Sequence, residues 1–313
     1  MNDLSIIVPV YNEEKNILLF LEKTITVLKK LNVKYEIIFA LDPSKDNSEK
    51  IIIEETKKNK SIKLITFSRR FGQPSATMAG LNESDGKFCV VIDVDLQDPP
   101  ELIEDLYNKI NDGNNFEVVL AKRKTRKGET LFKKILSSVG YYLINKMTDI
   151  KIPKDTGDFR IMSRRVVDEL KRLNESHGFL RGLVSFVGFK QASIEYDRLE
   201  RYQGVGNYNK YFGSLKIGLN GIFGFTSKPL ILMSTAGFIF AFFSFLIGLW
   251  YFIQKLIGVD YSPGLPTTVL VITFFSGIQL LGLGLLGEYI SRIYDEVKRR
   301  PQYIIDKKIN LDN

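Results

Sequence analysis

Two stretches near the carboxyl end, Pro229 to Gln254 and Tyr261 to Gly287, contain no Asp, Glu, Lys or Arg. At a rise of about 1.5 Å per residue, each run wound as a helix covers the roughly 30 Å hydrocarbon core of a bilayer. Only a helix, or a closed barrel, satisfies its backbone there. Two membrane-spanning helices are therefore expected, and the short link Lys255 to Asp260 makes them an antiparallel hairpin with both flanks on one side. Lys228 precedes the hairpin, and Arg292, Lys298, Arg299, Arg300, Lys307 and Lys308 follow it, against Lys255 alone in the turn. The basic excess assigns that side to the cytoplasm. The chain thus divides into a cytoplasmic domain over 1–228, a hairpin over 229–287 and a basic cytoplasmic tail over 288–313. Met1 to Val10 has no basic start and only a strand-length apolar run, so no signal peptide is expected. The single cysteine, Cys89, excludes an intrachain disulfide, as a reducing compartment predicts. In the first span, Gly237, Ala241, Ser244 and Gly248 form a small-residue stripe where the second span or another subunit can approach closely, which leaves a homo-oligomer open.

Ahead of the hairpin the charge returns, and strand-like and helix-like patterns alternate. Leu4 to Val10 reads as a buried strand, and Asn16 to Leu31 as a helix with Ile17, Leu21, Ile25 and Leu28 on one face. Then come strand Tyr35 to Leu41, helix Ser48 to Lys58, strand Ile62 to Phe67, helix Gln73 to Leu81 and strand Phe88 to Ile92. Ser75, Ala76, Ala79 and Gly80 make the Gln73 helix narrow enough for close packing. A helix from Glu101 to Asn111 opens on Pro99-Pro100, and Glu117 to Ala121 is a fifth strand. Alternation of this kind gives a mostly parallel sheet covered on both faces.

The strand Phe88 to Ile92 surfaces directly into Asp93-Val94-Asp95. In a parallel α/β sheet that carboxyl edge is where ligands bind. Alternation along an extended chain aims Asp93 and Asp95 to one side, with Gln97 in the same register. Two hard oxygen donors on one side suit a divalent cation that keeps positions open for water and a substrate phosphate. Taken alone, the triplet fits a solvated acidic turn as well.

Several separated motifs carry a resemblance. Ser5-Ile6-Ile7-Val8-Pro9-Val10-Tyr11-Asn12-Glu13-Glu14, Ser68-Arg69-Arg70-Phe71-Gly72-Gln73 and Asp93-Val94-Asp95-Leu96-Gln97-Asp98-Pro99-Pro100-Glu101 resemble the family 2 glycosyltransferases of GT-A fold. Asp155-Thr156-Gly157-Asp158-Phe159-Arg160, Phe179-Leu180-Arg181-Gly182 and Gly287-Glu288-Tyr289-Ile290 narrow the resemblance to the polyprenyl-phosphate glycosyltransferases, GtrB-like bacterial enzymes and dolichyl-phosphate mannose synthase among them. The resemblance implies a Rossmann-like GT-A α/β domain, interfacial amphipathic helices and a membrane hairpin in a bacterial plasma membrane. It implies inverting transfer of a sugar from a nucleotide-diphosphate sugar, expected to be UDP-linked, to a polyprenyl phosphate such as undecaprenyl phosphate, for cell-envelope glycosylation. Pro9, Tyr11, Glu13 and Asp42 carry over as donor contacts, and Arg69 and Gln73 as further substrate contacts. Asp93, Asp95 and Gln97 carry over as the metal region for Mg2+ or Mn2+. Asp158, Arg160 and Arg201 carry over to the acceptor phosphate, so that Asp95, Asp158 and Arg160 form the catalytic set. Because that phosphate has a second pKa near 6 and is largely ionised, Asp158 is expected to orient while Arg160 and Arg201 hold charge.

Thr130 to Met147 and Lys210 to Phe225 read as helices at the membrane surface, although the first fits packing on the sheet equally well. The chain departs from the family at Leu41, where a second acid is common, at Pro43 and at Val205-Gly206-Asn207, where a lysine is common. His177, the sole histidine, has no metal or triad geometry. The net charge of +8 is dispersed, which suits anionic headgroups and phosphorylated substrates and gives no nucleic-acid signature. Two other readings stay open. One is transfer to a lipid hydroxyl, which needs a true base, and the other is a catalytically silent sugar-nucleotide-binding subunit.

Overall fold

The structure is a computed structural model that describes residues 2–124, 146–148, 153, 156–173, 175, 180–199, 202, 223–258 and 264–311. The elements run β1 (Leu4–Val10), α1 (Ile17–Leu31), β2 (Tyr35–Leu41), α2 (Ser48–Lys58), β3 (Ile62–Phe67), α3 (Gln73–Glu83), β4 (Phe88–Val91), α4 (Leu102–Ile110) and β5 (Val118–Arg123). Then come β6 (Thr156–Ser163), α5 (Arg164–Arg172), α6 (Leu180–Val187), β7 (Gln191–Tyr196), α7 (Lys228–Leu256), α8 (Leu265–Lys298) and β8 (Ile305–Ile309). The strands form one sheet in the order β7-β5-β6-β4-β1-β2-β3-β8. β4, β1, β2 and β3 are mutually parallel, as the alternation requires, whereas β6 and β8 run antiparallel to their neighbours.

Period-2 alternation splits the core into two layers. Leu4, Ile6 and Val8 of β1 join Ile37, Phe39, Phe159 and Ile161 on the face covered by α1, α2 and α4. Ile7, Ile38, Ala40 and Met162 point to the other face, under α3, α5 and α6. Full burial of such side chains contributes about 1.5–3 kcal/mol each before chain entropy is set against it. The narrow face of α3 has its expected use: a Cβ at Gly80 would lie 2.4 Å from Cγ2 of Ile7, so this helix approaches β1 more closely than alanine permits. Ser163 caps α5 by accepting from the Val166 amide at 3.4 Å.

The hairpin forms as two long helices. Spans of 27 and 28 residues, Lys228–Gln254 and Val271–Lys298, are long and apolar enough to cross a membrane. They meet through Phe240 against Phe275, edge to face at 5.6 Å, and at Gly282, where an added Cβ would lie 3.0 Å from the Met233 methyl. The small-residue stripe is not that contact, since a Cβ on Gly237 or Gly248 would meet nothing within 4 Å. The turn around Ser262 and the bulk of both expected interfacial helices lie outside the described residues, as do His177 and Arg201.

The segment after the hairpin differs from a free basic tail. α8 continues to Lys298, Arg299 ends it in the left-handed region at φ 48°, and β8 then pairs antiparallel with β3, Thr66 opposite Lys307 and Phe67 opposite Ile305. Lys308 reaches Glu83 at 2.8 Å, and Asn310 donates to the Thr56 and Ile62 carbonyls. Five residues reading Ile-Asp-Lys-Lys-Ile are too short and too charged to announce a strand. Charge is nonetheless what suits them to a sheet edge. With α7 leaving the domain at Lys228 and β8 inside its sheet, both ends of the hairpin return to the same body.

Candidate active site

The carboxyl ends of β1, β2, β3 and β4 lie side by side, so the loops that follow them converge. After β1, Tyr11 lies under the Arg70 guanidinium, 3.8 Å from ring centroid to Cζ. Pro9 is buried within the strand opposite Ala40. Glu13 anchors the turn into α1: its amide donates to Ser48 Oγ at 2.9 Å, and its carboxylate accepts from Asn16 Nδ2 at 2.6 Å. After β2, the Asp42 carboxylate is 2% exposed and accepts from the amides of Phe71 and Gly72 at 2.9 and 2.8 Å. Asp42 therefore holds the loop from Ser68 to Gln73 in place. Gly72 adopts φ 91°, which an L side chain resists. Arg69 stacks on Phe71 at 4.2 Å, and Gln73 opens α3 with its Nε2 donating to Asp93 Oδ1 at 2.8 Å.

Asp93 and Asp95 follow β4. Asp95 is buried and accepts from the Gln97 amide at 3.1 Å, a local turn that carries Leu96 at φ 59°. Gln97 in turn accepts from the Leu199 amide at 3.0 Å. Asp98, 2% exposed, accepts from the Tyr196 hydroxyl and lies 3.4 Å from Arg198 Nε. β6 lies antiparallel beside β4 with Val91 opposite Arg160, and that register continued by two residues sets Asp93 opposite Asp158. Burial, then the charges of Asp95, Asp98 and Asp158, push the Asp93 carboxyl well above the ordinary carboxylate range against the pull of Arg198. Asp158 is the reverse case. Burial alone raises its pKa, but Arg181, Arg160 and Arg123 outweigh burial and hold the group below its usual value.

The arginines reach Asp158 from three elements. Arg181 on α6 donates from Nε at 2.9 Å. Arg160, on the same side of β6 as Asp158, is 1% exposed, lies 3.9 Å away and donates to the carbonyls of Gly157 and Asp158 at 2.8 and 3.2 Å. Arg123, the last residue of β5, passes over Gly157 so closely that a Cβ there would lie 2.8 Å from Nη2. Phe159 points away into the opposite core layer, against Tyr196. The carboxyl edge is thus bipolar, with acids at the end of β4 and arginines beyond β6.

The donor set also bears on a cation. Among the described residues no three His, Cys, Asp or Glu side chains converge as a ligand set. Asp93 and Asp95 are the pair that the strand end brings together, and burial, with the charge of Asp95 beside it, pushes the Asp93 carboxyl up. The fit is to a cation held by two carboxylates and completed by substrate and water.

The protein-family model for glycosyl transferase family 2 matches residues 5–171, from β1 through α5. The chain belongs to glycosyl transferase family 2. It is 46% identical to the uncharacterized glycosyltransferase YkcC of Bacillus subtilis, over 99% of this chain and 95% of that one. It is 40% identical to the SfII prophage-derived bactoprenol glucosyl transferase of Shigella flexneri, over 97% of each chain. A prophage bactoprenol glucosyl transferase homolog of Escherichia coli K12 is 38% identical, over 97% of this chain and 98% of its own. This family 2 glycosyltransferase has the GT-A-like α/β sheet expected of it, followed by two apolar helices that make it a membrane-associated transferase.

Arg181, Arg123, Asp98 and Tyr196 received no site role from sequence reasoning, although the structure gathers them here. The signal for Arg181 was present in Phe179-Leu180-Arg181-Gly182. Arg123 was hidden because the strand containing it was expected to stop at Ala121.

Proposed function

We propose that this glycosyltransferase transfers a sugar from a nucleoside-diphosphate sugar, UDP-linked by expectation, to polyprenyl phosphate at the cytoplasmic face of the membrane. The observation that carries the reading is the state of Asp158. A base that deprotonates an alcohol works best with a pKa near the operating pH. Three arginines instead hold Asp158 ionised and low, in contact with Arg181 at 2.9 Å. Such a carboxylate is a weak base and a good positioner of guanidinium groups. An acceptor phosphate arrives already ionised and requires orientation and charge neutralisation, which the arginine-rich side of the site supplies. The relatives named as bactoprenol glucosyl transferases support the same acceptor class.

In the proposed reaction a phosphate oxygen of the acceptor attacks the anomeric carbon, the bond from that carbon to the donor diphosphate breaks, and nucleoside diphosphate leaves. One displacement inverts the anomeric centre. Arg181 and Arg160, with Arg201, form the acceptor side, Asp158 fixes the two guanidinium groups relative to the β4 end, and Asp95 and Asp93 face the donor. Tyr11, Asp42, Arg69 and Gln73 shape the donor loops, with Pro9 and Glu13 supporting the turn after β1 and Gln97 the turn after Asp95. Mg2+ or Mn2+ bound by Asp93 and Asp95 would offset charge on the departing diphosphate. The hairpin holds this site near the headgroups where the lipid phosphate lies.

The test uses the full chain in lipid nanodiscs with radiolabelled UDP-glucose and other nucleotide sugars, supplied with undecaprenyl phosphate or undecaprenol, in Mg2+, Mn2+ or chelator. Sugar transfer to the phosphate with matching release of nucleoside diphosphate is the expected result. Transfer to the alcohol and not to the phosphate would overturn the acceptor assignment, and full activity in chelator would overturn the cation.

A further inference from the structure

The strand added by the C-terminal segment does more than cover an edge. Ser68, the first residue of the loop that Asp42 holds, donates its amide to the Ile304 carbonyl at 3.1 Å, one residue before β8 begins. Tyr303 packs edge to face on Phe67 with ring centroids 5.8 Å apart, and Phe67 packs in the same way on Phe71 at 6.1 Å. Phe71 carries the Arg69 guanidinium and supplies one of the two amides to Asp42. The Tyr303 hydroxyl accepts from Asn82 Nδ2 at 2.6 Å, which ties it to the far end of α3, the helix opened by Gln73. A contiguous series of contacts therefore runs from Tyr303, five residues past the end of α8, through Phe67 and Phe71 to Arg69, with parallel bonds at Ile304–Ser68 and Tyr303–Asn82.

β3 would be an ordinary sheet edge without β8, and edges are commonly protected by a short charged strand alone. Here the added segment instead places an aromatic ring against Phe67 and a carbonyl against the Ser68 amide, the two residues from which the Arg69–Gln73 loop hangs. An edge-to-face pair contributes about 0.5–1.5 kcal/mol beyond its buried area, enough to bias a loop otherwise held by Asp42, Gln73 and the Arg70–Tyr11 stack.

We infer that Tyr303 and the Ile304 carbonyl are positioning elements for the Ser68–Gln73 loop, so that the end of the membrane anchor sets the geometry of the donor side of the site. The inference rests on the proposed function only in naming that side. Tyr303 touches no reacting group and acts through Phe67, Phe71 and Ser68.

The test compares Tyr303→Ala, Tyr303→Phe and Asn82→Ala in the full chain in nanodiscs, by amide hydrogen exchange and by kinetics with UDP-glucose and undecaprenyl phosphate. In Tyr303→Ala, exchange at Phe71 and Gly72 should accelerate about tenfold while the amides of Ile6 to Val8 keep wild-type rates. The donor KM should rise about 3- to 10-fold with the acceptor KM unchanged, as loss of a donor-side tether requires. Tyr303→Phe keeps the ring and should return both readouts to within about twofold of wild type, with Asn82→Ala behaving alike. Unchanged exchange at Phe71 and Gly72 in Tyr303→Ala would overturn the inference, as would acceleration spread evenly over β1 to β4. Accelerated loop exchange in a protein that transfers nothing to polyprenyl phosphate would sustain the inference while refuting the acceptor reading.

Discussion

Removing the Arg181 side chain should expose how Asp158 is held. In the intact protein Asp158 accepts a charge-assisted bond from Arg181 at 2.9 Å, with Arg160 at 3.9 Å and Arg123 as further sources of positive charge. Side-chain exposures of 21% for Arg181 and 27% for Asp158 place the pair between a surface bridge and a buried one. Bonds to charged groups contribute about 1.5–3 kcal/mol, and partial exposure argues for the lower half of that range. Arg181→Ala should therefore destabilise by about 2 kcal/mol. For a domain of this size that is a fall in Tm of roughly 4–8 °C. A double-mutant cycle with Asp158→Asn, read by thermal unfolding in nanodiscs, should return most of this as coupling. The pH dependence supplies the sign. Asp158 has a folded pKa below its ordinary 3.8, so the stability it contributes is present above that value and is lost as pH falls through the folded pKa. The gap in Tm between wild type and Arg181→Ala should hold from pH 8 to 5 and narrow once pH drops below about 4. A coupling near zero, or a gap that stays constant through the acid limb, would refute the ion-pair account.

Three further outcomes follow from the same geometry. Asp93→Asn keeps an acceptor for Gln73 but removes a carboxylate whose pKa is raised, a group that favours the fold at low pH and loses that contribution as pH rises; in chelator the variant should melt higher than wild type at pH 8 and gain less at pH 4, and its Mn2+-induced rise in Tm should be lost. Gly80→Ala drives a methyl to 2.4 Å from Ile7 Cγ2 and should cost about 1–3 kcal/mol in unfolding experiments, with Ile7→Ala in the same background returning part of it. Tyr196→Phe strips the hydroxyl donor from Asp98, which is 2% exposed, and should lower stability by about 1–3 kcal/mol in unfolding experiments at neutral pH.

The central fold was legible because its signals are local. Each of β1 to β4 is a short apolar run closed by polar residues, and each intervening helix repeats its apolar positions at helical spacing. Nothing in a parallel sheet competes with that alternation. Two failures came from the margins. β5 extends through Lys122 and Arg123, where charge normally ends a strand, because β6 and β7 pair with it on both sides and Arg123 can settle over the bare Gly157. β8 was unreadable because an edge strand of five residues gains its stability from β3, which pairs with it from the opposite end of the chain, and from Glu49 and Glu83, which pair its lysines.

The site divides along the same line. Asp93 and Asp95 follow directly after β4, so a reader of the sequence can put both at its carboxyl end, but the strand stops at Val91 and a turn with Leu96 at φ 59°, rather than the strand period, sets Asp95. The chemistry of Asp158 does not follow that way. Phe159 facing away from Asp158 and Arg160 is a period-2 deduction, but the balance between burial and guanidinium charge depends on Arg181 from α6 and Arg123 from β5, separated from Asp158 by chain folding. An arginine within one element announces only a positive charge; whether it binds substrate or holds a carboxylate ionised is decided by what faces it. Arg160 illustrates the point, being 1% exposed and already donating to two backbone carbonyls. Its substitution by lysine would keep the charge and forfeit the planar fork that makes both bonds, so loss of acceptor binding in Arg160→Lys with retained donor binding would identify the fork as what sets the acceptor side.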